Sequence, residues 1–523
     1  MHYFWRNVFG PHKYAAKGVY MNIFAKMSLV GLMSFGLSQA VVNYPFPQMS
    51  NYGGNATLLS DKAKASEELK QQFAAWMKDM YNENGDVAGI RSDPGSNQYF
   101  SEGVGYGMLL MVYFSDNTTN YQPQFDKLWN FYKKMSNKNG LMIWKIGNLS
   151  ESWDAGNGAA LDGDIDAAAA LIMAAYQFGD EKYLSEAKTL IQAMKKYEFE
   201  ANGLHMPGDA WGDAAYNRKN PGYFDPAYMP LFAQVDTENA AFWSGDAYDK
   251  NMALYESSSK EVSTGLIDDW TDKNGKSEDD EYSYDASRAP WRNAKAVCWH
   301  GDKRALALDQ KMAAFVSTVP ASNMKGPVKR SSGALGNDHN STFVTSLMTS
   351  LISDAKYQSK LDEYWKEAVA LGNENYFNQS LKLLNGLLVS GNMPNLAAGG
   401  QQSTTPVIPT DTTTTNPVIP TDTTANPVNP VDTTGSQNPN MALAPAFAST
   451  VSGLRLEGRT LQMSVNGKAS VDLVSVTGNV VKKVWNGDAA GSVSVSLQNL
   501  PNGVYIVRIQ DSKSMTMKKI HLK

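Results

Sequence analysis

Between Ser60 and about Val389, apolar residues return every three or four positions. Leu69, Phe73, Trp76, Met77 and Met80 line one such face, and Tyr183, Leu184, Ala187, Leu190, Ile191 and Met194 line another. This spacing predicts amphipathic helices, with Ser60 placed to start the first. Similar segments at 102–115, 122–135, 164–178, 226–243, 248–262, 284–297, 302–317, 340–353, 360–371 and 375–389 bring the number to about twelve. Strand patterns are sparse here. Helices in pairs, joined by alternately short and long loops, fit a double ring of six inner and six outer helices better than a simple bundle.

The pattern then changes twice. Residues 401–440 hold near-repeats of Asn-Pro-Val-Ile-Pro-Thr-Asp-Thr-Thr with almost no large apolar side chains. Such a stretch cannot bury enough surface to fold, and its Pro and Thr content favours an extended spacer. Beyond it, Ser492–Leu497 and Gly503–Ile509 alternate apolar and polar residues, and Asn486-Gly487 and Pro501-Asn502-Gly503 read as turns. Period-two alternation broken by turns predicts strands, and a small all-β sandwich is the expectation.

Composition narrows the class. The chain has 523 residues, 42% hydrophobic and 19% charged, with a net charge of −5. That is globular and offers no basic field, so nucleic acid is not an expected partner. Twelve Trp and 25 Tyr suit both core packing and stacking on sugar faces. Lys26, the apolar run Met27–Leu37 and the small-residue site Ser38-Gln39-Ala40 form a secretory signal, with Met21 as an alternative start. Cys298 is the single cysteine, so export here comes without an internal disulfide. The expected divisions are 1–40 (N-terminal extension and signal peptide), 41–398 (helical domain), 399–445 (linker) and 446–523 (β module).

Three acidic segments carry candidate chemistry. In Ser101-Glu102-Gly103-Val104-Gly105-Tyr106-Gly107-Met108, Glu102 is the one acid among apolar residues, and alternate glycines allow close approach. Desolvation would suit it to general-acid work, although an acid in a first helical turn is also ordinary. In Asp162-Gly163-Asp164-Ile165-Asp166, three acids run into an apolar helix. Capping explains one of them, and the loop lacks the Gly and Glu of a calcium-binding EF-hand. At least one is expected to aim into a cleft. In Tyr282-Ser283-Tyr284-Asp285-Ala286-Ser287-Arg288, Arg288 lies within helical reach of Asp285, as a plain ion pair or as the group that keeps a base ionised. A protonated acid and a charged base are what glycoside hydrolysis needs, about 6.5–9.5 Å apart when the reaction inverts configuration.

Other chemistries are poorly served. The six His, with His205 and His300 near apolar or aromatic neighbours, show no zinc-binding spacing. Cys298 sits in an apolar helix as a core residue. Neither a metal nor a cofactor is expected.

At the three acidic segments the chain resembles glycoside hydrolase family 8, bacterial endoglucanases, xylanases, lichenases and chitosanases with an (α/α)6 barrel. The resemblance runs over about residues 43–395. It implies Glu102 as proton donor, Asp162 in contact with the sugar at the cleavage subsite, and Asp285 as general base, in the subgroup that argues against a chitosanase. Leu161 and Ala167 depart from the family signature without removing a carboxylate. Tyr284 and Arg288 are implied to touch substrate or water. The matching stretches Leu141–Ile146 and Asn220–Phe224 offer Trp144 and Tyr223 for sugar stacking, with Trp211 and Tyr376 as further candidates. The C-terminal stretch resembles sorting domains for the cell envelope or secretion machinery. A carbohydrate-binding module is the rival, although Trp485 is its one Trp. The resulting expectation is a secreted or surface-attached, monomeric, inverting endo-β-1,4-glucanase without a cofactor. Endo- or reducing-end xylanase and a non-catalytic polysaccharide-binding protein are the alternatives.

Overall fold

A computed structural model describes residues 42–398, apart from 53–55, 151–157, 213–215 and 373. It also describes residues 451–522, apart from 458, 476–479, 499, 501 and 512–514. These form two units, each taken by itself. The expected signal segment and linker lie outside the described residues. No helix among the described residues is long and apolar enough to cross a membrane.

The first unit is helix-rich. Its twelve α-helices among the described residues are α1 (Lys62–Asp79), α2 (Ser101–Phe114), α3 (Gln122–Lys134), α4 (Leu161–Phe178), α5 (Lys182–Tyr197), α6 (Tyr228–Val235), α7 (Tyr248–Lys260), α8 (Arg288–His300), α9 (Lys303–Val316), α10 (Ser341–Ser350), α11 (Gln358–Ala370) and α12 (Tyr376–Val389). They differ in kind. Every residue of α2 and α10 is buried, and nearly every residue of α4, α8 and α12. These helices lie inside, with the polar residues of α8 and α10 taken up by internal partners, whereas α3 and α5 bury one stripe and wet the other. The buried helices pack on one another: α2 on α4 and α12, α12 on α10, and α10 on α8, with the turn Pro221–Tyr223 between α4 and α8.

Helix starts depart from the sequence expectation in ways that matter for function. Asp61, not Ser60, caps α1, its carboxylate accepting the Lys64 N–H at 2.9 Å. Helix α4 begins at Leu161 with no side-chain cap, so Asp162, Asp164 and Asp166 lie inside its first two turns and none of them caps it. Helix α8 begins at Arg288, which leaves Asp285 in the turn before it. The expected helix at 226–243 breaks after Val235. Asp236 accepts side-chain N–H groups from Asn239 and Trp243, and a π-helical turn then leads into α7.

Helices α2 and α4 cross through glycine. A Cβ on Gly105 would lie 2.8 Å from the Gly163 carbonyl oxygen, and one on Gly163 would lie 2.6 Å from the Ser101 carbonyl carbon. The backbones carrying Glu102 and Asp162 therefore touch directly. Short antiparallel strand pairs tie the neighbouring loops together: 99–100 with 145–146, 218–219 with 271–272, and 281–282 with 326–329.

The second unit is strand-rich. Strands Val451–Glu457, Thr460–Ser475, Val480–Ser496, Gly503–Asp511 and Met515–Leu522 form one antiparallel sheet. The central strand pairs along its length with Val480–Ser496 and, on its other edge, first with the leading strand and then with Gly503–Asp511. One expectation is corrected: Asn486-Gly487 lies within a strand opposite Ser470 and Ala469 because cross-strand pairing overrides its turn preference. Trp485 packs partly buried against the module's own core.

Candidate active site

Arg288, the first residue of α8, is 7% exposed and gathers three carboxylates from three parts of the chain. Its Nε donates to Glu102 Oε1 at 2.5 Å, its Nη1 to Asp285 Oδ1 at 2.9 Å, and its Nη2 lies 3.4 Å from Asp162 Oδ2. The guanidinium also lies over the rings of Tyr223 and Phe377. A planar, permanently charged fork can hold several acceptors at fixed angles, as a lysine ammonium cannot.

Glu102 is buried in the first turn of α2 and takes two further hydrogen bonds, from the hydroxyls of Tyr106 and Tyr376, each at 2.8 Å. Burial and the nearby Glu102 push both phenols well above their ordinary range, so both stay protonated donors. The sequence suggested a carboxyl among apolar groups, whereas the structure supplies it with three donors. Asp162 is buried beside them. Burial, then Glu102, pushes its carboxyl well up, and Arg288 opposes that. Its Oδ1 accepts the Gly163 N–H at 2.9 Å. Asp285 is the accessible member of the group, its side chain about a third exposed at 35%, and Trp270 Nε1 donates to its Oδ2 at 3.0 Å.

The other two acids of α4 support the floor. Asp166 binds Arg292 through 2.6 and 3.1 Å contacts, and Arg292 and Lys295 both reach Asp225, all of them fully buried. Burial pushes Lys295 down to about 8. Asp164 accepts the Tyr132 hydroxyl and faces the buried Glu198, and burial pushes both carboxyls up. His205 is fixed between Asn251 and the Asn220 carbonyl and is pushed down by burial to about 4, which makes it a neutral structural group. Cys298 is buried and unpaired.

Aromatic rings lead away from the carboxylates. Trp144, 37% exposed, stacks on Phe100 at 5.9 Å, and Phe100 stacks on Tyr376 at 5.4 Å, whose hydroxyl holds Glu102. Trp211, 38% exposed, lies 6.1 Å from Trp270, which lies 6.4 Å from Tyr223. Tyr284 is exposed too, bonded to Asp338 and Asn340.

A buried acid, a second acid beside it and a third open to solvent thus stand among exposed rings. Residues 45–391 match the family described as glycosyl hydrolases family 8. The chain belongs to this family. Endoglucanase A of Acetivibrio thermocellus is 32% identical over 416 residues, 75% of this chain and 83% of that protein. The reducing end xylose-releasing exo-oligoxylanase of Halalkalibacterium halodurans is 24% identical over 381 residues, 65% of this chain and 93% of that one. Among solved structures, the beta-1,3-1,4-glucanase from Paenibacillus sp. X4 superposes with a TM-score of 0.62 at 25% identity, covering 67% of this chain and 99% of that one. Residues 458–523 match a secretion system C-terminal sorting domain, so this family 8 glycosidase is an exported enzyme.

All nine residues singled out in the sequence, Glu102, Asp162, Asp285, Arg288, Trp144, Trp211, Tyr223, Tyr284 and Tyr376, fall in this connected group or on its rings. Sequence reasoning missed Tyr106, Phe100, Phe377 and Trp270 of the glycosidase. Tyr106 had a signal, since it stands four residues after Glu102 on the same helical face. Trp270 had only the local run Asp268-Asp269-Trp270.

Proposed function

We propose that the protein is an inverting endo-β-1,4-glucanase acting on cellulose-like glucan. The observation that carries this reading is one guanidinium joined to three carboxylates, two of them buried and one open to solvent. Glu102 donates a proton to the glycosidic oxygen as the bond from that oxygen to the anomeric carbon breaks. Asp285 takes a proton from the water that attacks that carbon from the opposite face, so the configuration inverts and no covalent sugar–enzyme bond forms. Asp162 holds the distorted sugar through hydrogen bonds that strengthen in the transition state. Arg288 keeps the three in register.

Rings that lead separately to Glu102 and to Asp285 support binding of sugar units on both sides of the cleaved bond, which favours internal cleavage. The alternation of wholly buried and one-face-buried helices supports a double ring, the (α/α)6 barrel. We further propose that 399–445 is a spacer between the hydrolase and its sorting module and that the enzyme works as a monomer.

The test is reducing-sugar release from soluble β-1,4-glucan, mixed-linkage glucan and xylan, with the product anomer followed by NMR and with Glu102→Gln and Asp285→Asn alongside. Cleavage of β-1,4-glucan to the inverted anomer, lost in both variants, is the expected result. Cleavage of xylan alone would sink the substrate and leave the acid–base pair standing. Xylan is the second reading because relatives at 24% identity bear exo-oligoxylanase names.

A further inference from the structure

Asp285 has a difficulty as a base: it sits in a turn, it is partly exposed, and the final torsion of an aspartate is broad. The Arg288 contact fixes one oxygen only. We propose that the adjacent residues Asp269 and Trp270 form a clamp that positions Asp285 for water activation, an inference that rests on reading Asp285 as the general base.

The clamp grips both the side chain and the backbone. Trp270 Nε1 donates to Asp285 Oδ2 at 3.0 Å, while Arg288 Nη1 holds Oδ1 at 2.9 Å, so neither oxygen swings freely. One carboxylate oxygen of Asp269, Oδ1, accepts the N–H groups of Ser283 and Ala286, each at 2.7 Å, the residues two before and one after the base. The Asp269 N–H in turn donates to the Glu281 carbonyl at 3.0 Å. Gly222 closes the third side, where a Cβ would lie 2.3 Å from the Asp285 carbonyl oxygen. The indole is itself held, with Arg218 4.6 Å from its ring centre and tied to Glu278 at 2.6 Å.

A neutral indole N–H suits this task. It orients the carboxylate without adding a second cation that would oppose proton uptake from water. The ionisable groups facing Asp285 are Arg288 from α8, Asp269 from the preceding loop and the Tyr223 phenol, with Glu102 and Asp162 beyond Arg288. Asp269 is itself pushed up to about 7 by burial, against the pull of its two backbone donors and helped by Asp285. It can therefore hold the turn in either protonation state. Asparagine keeps the accepting oxygen and loses only the charge.

The experiment compares full-length enzyme with Trp270→Phe, Asp269→Asn, Asp269→Ala and Asp285→Asn on the glycan cut fastest, recording kcat, KM, the pH profile of kcat and the melting temperature. Trp270→Phe keeps the ring and removes the N–H. Its kcat is expected to fall about tenfold to a hundredfold with little change in KM, as for loss of a hydrogen bond to a charged group. Loss of a hydrogen bond to the charged carboxylate is expected to move the acidic limb of its kcat profile up. Asp269→Ala loses activity similarly, and Asp269→Asn recovers most of it. A Trp270→Phe variant with unaltered kcat and acidic limb overturns the clamp, and so does one whose sole change is a higher KM, which would make Trp270 a sugar platform. If Asp285→Asn stays active, Asp285 is not the base and the mechanism above fails first, whatever Trp270 does.

Discussion

Arg288 Nε lies 2.5 Å from Glu102 Oε1 although the two residues are 186 positions apart in the chain, and both are almost wholly buried. The same guanidinium serves Asp285 and Asp162, so its removal leaves more than one carboxylate without its counter-charge. Arg288→Lys keeps a positive charge but cannot reach three acceptors at once, and kcat is expected to fall about a hundredfold or more, a 1 Å misplacement being enough for that. Arg288→Met is expected to cost about 3–5 kcal/mol of stability as well, because it strands buried charge. Steady-state kinetics and thermal denaturation on both variants separate the two effects. Normal turnover in the lysine variant would show that a point charge suffices.

Glu102→Gln and Asp285→Asn should part company when the leaving group is changed. A nitrophenyl β-glycoside departs without a proton, so Glu102→Gln is expected to regain much of its activity on it, while Asp285→Asn stays impaired about a hundredfold or more. Initial rates on the aryl substrate and on the polymer give the comparison. Equal rescue of both variants would contradict the assigned roles.

Much of this site could be read from the chain before its fold was known, and the reason is physical. Glu102 with its glycines and the Asp162–Asp166 run each sit at one helix start, so a few adjacent residues carry the information. Asp269 and Trp270 could not be found that way, since their importance lies in hydrogen bonds to residues about fifteen positions on, made by a turn that no period predicts. The helices were legible wherever one face is wet, as in α1 and α5. A boundary failed at Asp236, where α6 ends and a π-helical turn leads into α7 although the apolar spacing runs on. The Asn486-Gly487 turn failed because a long partner strand outweighs local preference.

The paired carboxyls Asp164 and Glu198 predict how stability varies with pH. Both are pushed up by burial, Glu198 further by Asp164, and Asp164 reaches about 7. A carboxyl whose pKa is higher folded than unfolded contributes stability that is complete below its ordinary value near 4 and is lost as pH rises through the folded value. Stability should therefore decline from about pH 4 to about 7 as Asp164 titrates, at up to about 1.4 kcal/mol per pH unit for each proton involved. Glu198→Gln retains a donor for Asp164 and removes one titrating group, so its decline should be shallower. Urea unfolding across that range decides it, and identical slopes would remove the pair from the account.

Gly163→Ala probes the helix crossing. The new methyl would meet Ser101 backbone and side-chain atoms at 2.5–2.7 Å, so α2 and α4 must separate. Overpacking of this kind costs about 1–3 kcal/mol, and kcat should fall further than the melting temperature alone would suggest. A variant with normal turnover at reduced stability would show that the site tolerates the shift.

That crossing divides the enzyme into a part that can drift and a part that cannot. Trp144, Trp211 and Tyr284 stand outside the helices, where a lengthened or exchanged loop could refit them to a different sugar as long as Phe100 and Trp270 beneath them keep their places. Glu102 and Asp162 have no such freedom, because main chain rests on main chain between them and no side chain remains to be trimmed in compensation. New specificity in this scaffold is therefore a matter of re-furnishing the rim, while the spacing of Glu102 and Asp162 is inherited as hard contact.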